Sequence, residues 1–448
     1  MDSLKEFLIN YVKSKYDTSD TVIEYAKKVL EQLEKGSICL NINDKDIIEE
    51  LKKSNAVGTD NAIRPLILDD GKLYVQRYYV YQKKLLEKIN ELAEKRKFHI
   101  ITGGPGTGKT TLLKEILKDK TDKKYLMAAP TGKAALRMGN DAKTIHRLLG
   151  YRHLSVGFIH TKENPLEADI IAIDECSMVD LPMMAKLLEA VPTNCDLYLL
   201  GDKNQLASVE VGSVFADICE KFKNNDDVYT ELIKNYRAEN APGITNLSRK
   251  ILENAVDTFN NENVHYSEDA MLEEELPKKY SGLFKAKNHE DALQYLKTFQ
   301  VLCTSKTGRS GTAYINELIK REKPKFTPVI ITENNYSLNL FNGDVGVKDD
   351  KNAYFNIGEE IKSFPVLTLP AHELAFAITI HKSQGSEYES VAVVYPYKEK
   401  EAESEKIFLT KELLYTAITR AKKECFIFGS KEVLKNSCNR KIFRASGI

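Results

Sequence analysis

The chain has 448 residues, 42% of them hydrophobic, and its 65 Lys+Arg balance 65 Asp+Glu to a formal net charge of zero. That length implies about three domains, and the balance excludes a globally basic nucleic-acid binder while leaving room for a local basic groove. Seven cysteines, none in C-x-x-C, exclude a disulfide framework and a zinc signature; the charged, helix-periodic MDSLKEFLINYVKSKYD and the lack of a membrane-length apolar run point to the cytoplasm.

Residues 1–75 carry apolar positions at Leu4, Phe7, Leu8 and Val12, then Val22, Ile23, Ala26 and Leu30. That spacing predicts a small helical domain. So small a unit buries little core by itself, and packs either on the chain's own first lobe or on a neighbour. From Phe98 onward, short apolar runs (FHIIT, YLMAAP, DIIAID, DLYLLG) alternate with helical patterns, which implies a parallel sheet. An acidic, irregular stretch follows at Tyr266–Glu275, and then a second set of runs, FQVLCT, TPVIIT, ESVAVV and CFIFG. The expected fold class is α/β with two lobes, residues 76–230 and 231–448. Short strands and turns over Phe326–Leu369, including FNGDVGV, predict a small β insert in the second lobe.

The stretch ITGGPGTGKTTLL, Ile101 to Leu113, fits G-x-x-x-x-G-K-[ST] with Gly103, Gly108, Lys109 and Thr110 in the fixed places. An apolar strand enters it and a helical pattern leaves it, which is the context a phosphate-binding loop requires. Glycines let backbone N–H groups crowd around phosphate oxygens, and the helix N-terminus adds partial positive charge. Gly103, Gly104, Pro105, Gly106, Thr107, Gly108, Lys109, Thr110 and Thr111 are therefore expected to hold the phosphates of ATP, with Lys109 at the β- and γ-phosphates and Thr110 on Mg²⁺.

ADIIAIDECSMVD then places Asp174 and Glu175 at the end of an apolar strand. Beside a phosphate-binding loop, such a pair divides the work: Asp174 joins the Mg²⁺ shell and Glu175 polarises the attacking water. In LLGDKNQLASVEVGSVFADI, Gln205 also follows a strand, and its neutral amide suits a γ-phosphate sensor. Arg237 in IKNYRAE and Arg420 in LLYTAITRAKK are candidate fingers from the second lobe, able to neutralise charge at the γ-phosphate when the cleft closes. Tyr236 beside Arg237 could stack on the adenine.

The order GGPGTGKTT, APTGKAALR, TIHRLLG, DECSMVDLPMM, GDKNQLASVEVGSVFADI, NYR, AITIHKSQGSEYESVAVV, LLYTAITRAK resembles the helicase motifs of superfamily 1, type B. Within that group the chain is most similar to the RecD family, the alpha subunits of exodeoxyribonuclease V. KGSICLNI, RPLILDDGKLYVQRYYVYQ and PVIITENNYSLNLFNGDVGV extend the resemblance outside the motor motifs, so it covers most of the chain. The resemblance implies two RecA-like lobes and an SH3-like β insert. It also implies that Gln82 reads the adenine edge and that Gly385 and Glu387 face the nucleotide.

It further implies an ATP-dependent 5′→3′ DNA helicase acting in double-strand break repair and recombination. Single-stranded DNA from a duplex end would cross the tops of both lobes, on Pro130, Thr131, Thr144, His146, Thr304, Asn342, Thr379, His381 and Lys382. Hydroxyl, imidazole and ammonium groups of this kind suit phosphate and base contacts. Residues 151–165 stand where such helicases carry a strand-separating hairpin. Residues 1–75 would join the beta and gamma subunits. Only 28 residues follow Arg420, so nuclease chemistry is expected from those partners alone. A stand-alone RecD-like helicase and an ATP-driven assembly switch without unwinding are the alternatives. The chain has no Trp, so stacking falls to Tyr, Phe or His, and Cys176 after the acidic pair is expected to serve packing.

Overall fold

The computed structural model describes residues 2–60, 62–151, 157–208, 210–236, 241–268, 272–335, 337–358, 360–400 and 408–448. The first lobe is built on six parallel strands. Their order is Tyr229–Leu232, Phe98–Gly103, Asp196–Gly201, Ile170–Ile173, Tyr125–Ala129 and Lys143–Thr144. Helices cover the sheet, so inner strands are apolar on both faces: all four residues of Ile170–Ile173 are buried. The lobe's last strand runs to Leu232, past the boundary expected at 230.

The second lobe repeats the plan with five parallel strands, Val264–Ser267, Ala421–Phe428, Tyr388–Val394, Phe299–Cys303 and Ala377–Thr379. Two parallel α/β lobes bear out the expected fold class. The insert leaves the lobe after the helix Thr312–Lys320 and returns before Ala377. It is a five-stranded antiparallel sheet, Glu360–Pro365, Asn352–Ile357, Val345–Lys348, Thr327–Ile331 and His372–Leu374, over its own core of Val329, Ile331, Leu340, Ala353 and Phe355. TPVIIT, read with the second-lobe strands, is thus an inner strand of the insert. His372–Leu374 carries the insert beyond Leu369, its expected end.

Residues 1–75 are not purely helical. Helices Asp2–Lys15, Asp20–Glu34 and Lys45–Lys53 pack with a small sheet of Leu40–Asn41, Lys72–Val75, Leu66–Asp69 and Val57–Gly58. The hairpin of LILD and KLYV turns on Asp70 (φ 44°) and Gly71 (φ 68°), two positive angles that suit the twist of paired strands. This region shares one continuous core with the first lobe: Val12, Ala26 and Leu51 join Leu85, Phe98, Leu197 and Phe215. The apolar faces of 1–75 thus pack on the chain's own first lobe.

Candidate nucleotide site and strand-facing residues

The strand Phe98–Gly103 ends in the loop 104–108, and the helix Lys109–Lys118 begins at once. Gly106 (φ 81°) and Gly108 (φ 84°) take backbone angles that side chains resist. A Cβ on Gly103 would lie 2.7 Å from Thr107 Oγ1 and 2.8 Å from Leu232 O, so glycine there is a packing demand. The Lys109 ammonium donates to the carbonyls of Gly103 (2.6 Å) and Gly104 (3.1 Å), spanning the cradle that phosphates would fill.

Thr110 Oγ1 lies 3.0 Å from Asp174 Oδ2, across from the first turn of that helix. A hydroxyl and a carboxylate converging at a phosphate cradle are a hard oxygen pair of the kind Mg²⁺ takes beside phosphates, so the residues fit that ion. Glu175 N–H donates to Asp174 Oδ1 at 2.7 Å, and Glu175 itself sits at φ 54°. A left-handed non-glycine residue stores strain; here it turns the chain sharply at the strand end. Burial pushes the Glu175 carboxyl above its usual range and Asp174 adds to this, while Arg420, Lys109 and Arg137 pull it back. Charges from both lobes therefore act on this one carboxylate.

Arg420 is 2% exposed. Its guanidinium donates to Thr416 O (3.1 Å) and Ser386 O (3.2 Å), which fixes it on the second lobe's side. Gln205 is buried; its Nε2 donates to Asp202 Oδ2 (3.3 Å), and its Oε1 has no partner among the described residues. An unsatisfied buried acceptor invites a donor, as a water at the γ-phosphate would be. Tyr236 N–H donates to Gly106 O at 3.0 Å, and its half-exposed ring lies beside Gly108, with Cε2 3.6 Å from a Cβ placed there. Arg237 lies outside the described residues. Cys176 is fully buried, with Sγ 3.2 Å from Ile173 O, a packing thiol as expected.

Three expected nucleotide residues are placed differently from the cluster. Gly385 faces Thr131, whose Oγ1 is 3.2 Å from a Cβ built on the glycine. Glu387 pairs with Lys422 (3.4 Å) and with Arg137 of the first lobe (4.0 Å). Gln82 is buried, its Nε2 donating to the Tyr74 hydroxyl at 3.4 Å and its Oε1 accepting from Gly447 N–H at 2.9 Å.

The residues expected to face the strand, Asn342 of the insert apart, lie at the C-terminal ends of the two parallel sheets, where open α/β sheets bind ligands. Pro130 and Thr131 follow Tyr125–Ala129, and Thr131 caps the helix Gly132–Met138. Thr144 caps Ile145–Leu149, which carries His146. His146 packs 5.9 Å from the ring of Phe158, and burial lowers its pKa. Thr379 pairs in register with Cys303, so Thr304 is its neighbour; Thr304 Oγ1 is buried without a partner among the described residues. Burial also lowers the pKa of His381, and Lys382 bonds Glu373 at 2.7 Å. Asn342 lies on the insert, its N–H held by Asn334 Oδ1 at 2.9 Å. Arg147 reaches that loop from the first lobe, donating to Asn339 Oδ1 (3.1 Å) over the Phe341 ring (4.5 Å). Tyr151 and Phe158 form an antiparallel bridge; residues 152–156 of the expected hairpin lie outside the described residues.

The motif reading missed the direct link between the lobes. Tyr415 OH donates to Asp202 Oδ2 (2.9 Å), Leu206 N–H to Thr416 Oγ1 (2.9 Å), and Gln384 Nε2 to Leu206 O (2.7 Å). Tyr415 and Thr416 lie inside LLYTAITRAK and Gln384 inside HKSQG; those segments were the signal, but nothing in them named a partner.

Residues 87–211 match the AAA domain and residues 374–428 the UvrD-like helicase C-terminal domain. The RecBCD enzyme subunit RecD of Mycolicibacterium smegmatis is 33% identical over 78% of this chain and 71% of its own length. That of Buchnera aphidicola from Schizaphis graminum is 27% identical over 88% and 86%. A solved Pif1 helicase from Bacteroides, in complex with ADP-AlF3 and single-stranded DNA, is 20% identical over 79% of this chain and 93% of its own, with a TM-score of 0.47. The chain belongs to the RecD family, as the motif order implied.

Proposed function

We propose that this chain is an ATP-driven DNA helicase, the RecD-type motor of an exodeoxyribonuclease V (RecBCD-type) complex, travelling 5′→3′ on one strand. The observation that carries the reading is the Thr110–Asp174 pair at the phosphate cradle, with Glu175 next in the chain, beside a direct bond between the lobes from Tyr415 to Asp202. A phosphate site tied to the opposite lobe makes hydrolysis depend on how the lobes sit.

In this reading ATP binds in the cleft, with its phosphates on the backbone N–H groups of the loop Gly103–Thr111, Pro105 excepted because it has none. The Lys109 ammonium exchanges two carbonyl partners for phosphate oxygens. Thr110 and Asp174 would hold Mg²⁺, which would supply charge neutralisation at the phosphates. Glu175 takes the proton of the attacking water, and Gln205 orients that water through its free carbonyl oxygen. Arg420, with Arg237, draws toward the γ-phosphate and closes the lobes; loss of that phosphate releases them. Thr131 and Thr144 on one lobe and Thr304, Thr379, His381 and Lys382 on the other then grip the strand alternately. Lys382 exchanges Glu373 for a phosphate as it does so. The nuclease of the complex resides in the beta and gamma partners.

ATPase activity with and without single-stranded DNA, followed by strand displacement on tailed duplexes, tests the reading. Hydrolysis stimulated by DNA and unwinding from a 5′ tail are expected. Preference for a 3′ tail would overturn the direction, and hydrolysis without displacement would leave an assembly switch.

A further inference from the structure

The segment after the helix Lys431–Asn439 runs back across the molecule to the first lobe. Arg444 Nη1 donates to three carbonyls of the loop that follows Gln205: Ser208 (2.9 Å), Glu210 (3.3 Å) and Gly212 (3.2 Å). Gly36, at φ 84°, leaves room for that guanidinium; a Cβ there would lie 2.6 Å from Arg444 Cζ. Ala445 then pairs like a strand residue, its carbonyl accepting from Ile38 N–H (2.7 Å) and its N–H donating to Ser37 Oγ (3.1 Å). Two residues on, Gly447 N–H donates to Gln82 Oε1 at 2.9 Å. The segment is thus anchored at Arg444 and Ala445, just ahead of the contact that Gly447 makes to Gln82.

That contact has a chemical consequence. A side-chain amide can turn over and exchange its acceptor and donor ends, and only its hydrogen bonds decide between the two states. A backbone N–H can meet only the oxygen. Turned over, Gln82 would set its NH₂ against the Gly447 N–H, donor against donor. Gln82 is 4% exposed and its Nε2 approaches the Tyr74 hydroxyl at 3.4 Å, so the amide has little room for a third arrangement. One lone pair on Oε1 and one hydrogen on Nε2 stay uncommitted among the described residues. Acceptor and donor in that fixed order complement the N6 amino group and N7 of adenine, whereas guanine offers acceptors at both O6 and N7.

We propose that Gly447 is a positioning residue for base selection: by fixing the acceptor–donor order of Gln82, it makes the nucleotide site prefer ATP over GTP. This rests on the reading that Gln82 meets the base edge of bound ATP. Arg444 and Ala445 act as the anchors that hold Gly447 in place.

Two variants of the full chain test it by different physical routes. Gly447→Pro removes the N–H, and Gly447→Ala puts a Cβ 2.4 Å from the Tyr74 hydroxyl and 2.5 Å from Gln82 Nε2, which displaces the amide. Steady-state hydrolysis of ATP and of GTP is measured with saturating single-stranded DNA, and thermal melting confirms that each variant is folded. Either change should cut the ATP/GTP preference in kcat/KM about tenfold, the worth of one hydrogen bond, through KM for ATP with kcat retained. Gln82→Ala should do the same, and Gln82→Ala with Gly447→Pro should lose no more than either alone. An unchanged preference in folded Gly447 variants, or additive losses in the double variant, would overturn the proposal while leaving Gln82 as a base reader. An unchanged preference in Gln82→Ala would overturn it by removing the reading beneath it. Continued hydrolysis by Lys109→Ala would strike the ATP site itself.

Discussion

Tyr415 of the second lobe donates its hydroxyl to Asp202 of the first at 2.9 Å, in a buried position where Gln205 also bonds the same carboxylate oxygen. The link joins the helix leading to Arg420 with the loop carrying the candidate phosphate sensor, so lobe closure and Gln205 orientation move together. Tyr415→Phe keeps the ring and removes the donor, and leaving a buried carboxylate short of a donor costs about 1–3 kcal/mol. The variant should lower DNA-stimulated kcat about tenfold or more, with a smaller change in KM for ATP. Steady-state kinetics decide this; a rise in KM alone would make the bond a ground-state contact.

Lys109→Ala and Glu175→Gln should each abolish DNA-stimulated hydrolysis without unfolding the protein. Glu175→Gln keeps Thr110 and Asp174 intact and should still bind ATP, as fluorescent-nucleotide titration would report. Because burial and Asp174 raise the Glu175 pKa, the wild-type base becomes protonated at a higher pH than an ordinary carboxylate. kcat/KM for ATP, which reports the free enzyme, should therefore fall as pH drops through that raised pKa and level off above it. Near-normal turnover in Glu175→Gln would end the assignment.

Arg420→Lys keeps a charge but loses the planar fork that bonds Thr416 O and Ser386 O together. Hydrolysis should slow far more than ATP binding weakens. If binding weakened while turnover held, Arg420 would be a ground-state ligand.

What the sequence revealed follows from how each feature is encoded. The phosphate loop is a contiguous pattern whose glycines answer local backbone demands at Gly106 and Gly108, so it was legible from its own residues. Asp174 and Glu175 were legible because a strand end positions them. Arg420 was legible only through the order of the motifs. The Tyr415–Asp202 bond joins residues 213 positions apart, and no local spacing encodes such a pair. The strands Leu40–Asn41 and Val57–Gly58 are two residues long, too short for alternation to register. LILD-DG-KLYV did carry a hairpin signal that helical periodicity nearby overshadowed. The apolar stripes of 1–75 showed that a partner surface existed, but not that the first lobe supplied it.

Asp217 offers a test of packing apart from chemistry. Its Oδ2 is enclosed without a partner among the described residues, and burial raises its pKa from 3.8 to about 6, against the opposing pulls of Ser446 and Arg444. A raised carboxyl pKa means the fold favours the protonated form. The stabilisation is complete below about pH 4 and is lost as pH rises through about 6, a difference on the order of 2–3 kcal/mol. Asp217→Asn escapes that loss. Its apparent Tm should exceed wild type by a few degrees at pH 7.5, and the gap should shrink toward pH 4.5. A gap independent of pH would mean that Asp217 contributes through its hydrogen bond alone.

The shared core also changes how partner docking must be tested. Removing residues 1–75 would strip Val12, Ala26 and Leu51 from the cluster that holds Leu85 and Phe98, exposing the first lobe's own interior, so a deletion would confound assembly with unfolding. The outer face of the first helix is separable from that core. Phe7 is 66% exposed and Tyr11 39%, with their rings stacked at 6.3 Å and the Tyr11 ring set edge-on against Tyr16 at 6.1 Å. Exposed aromatics of this kind anchor interfaces. Phe7→Glu with Tyr11→Ser should leave DNA-stimulated ATPase and melting temperature unchanged while abolishing co-purification with the beta and gamma subunits. Assembly retained in the double variant would move the docking surface off this helix, and the exposed faces of the two motor lobes would be the next to probe.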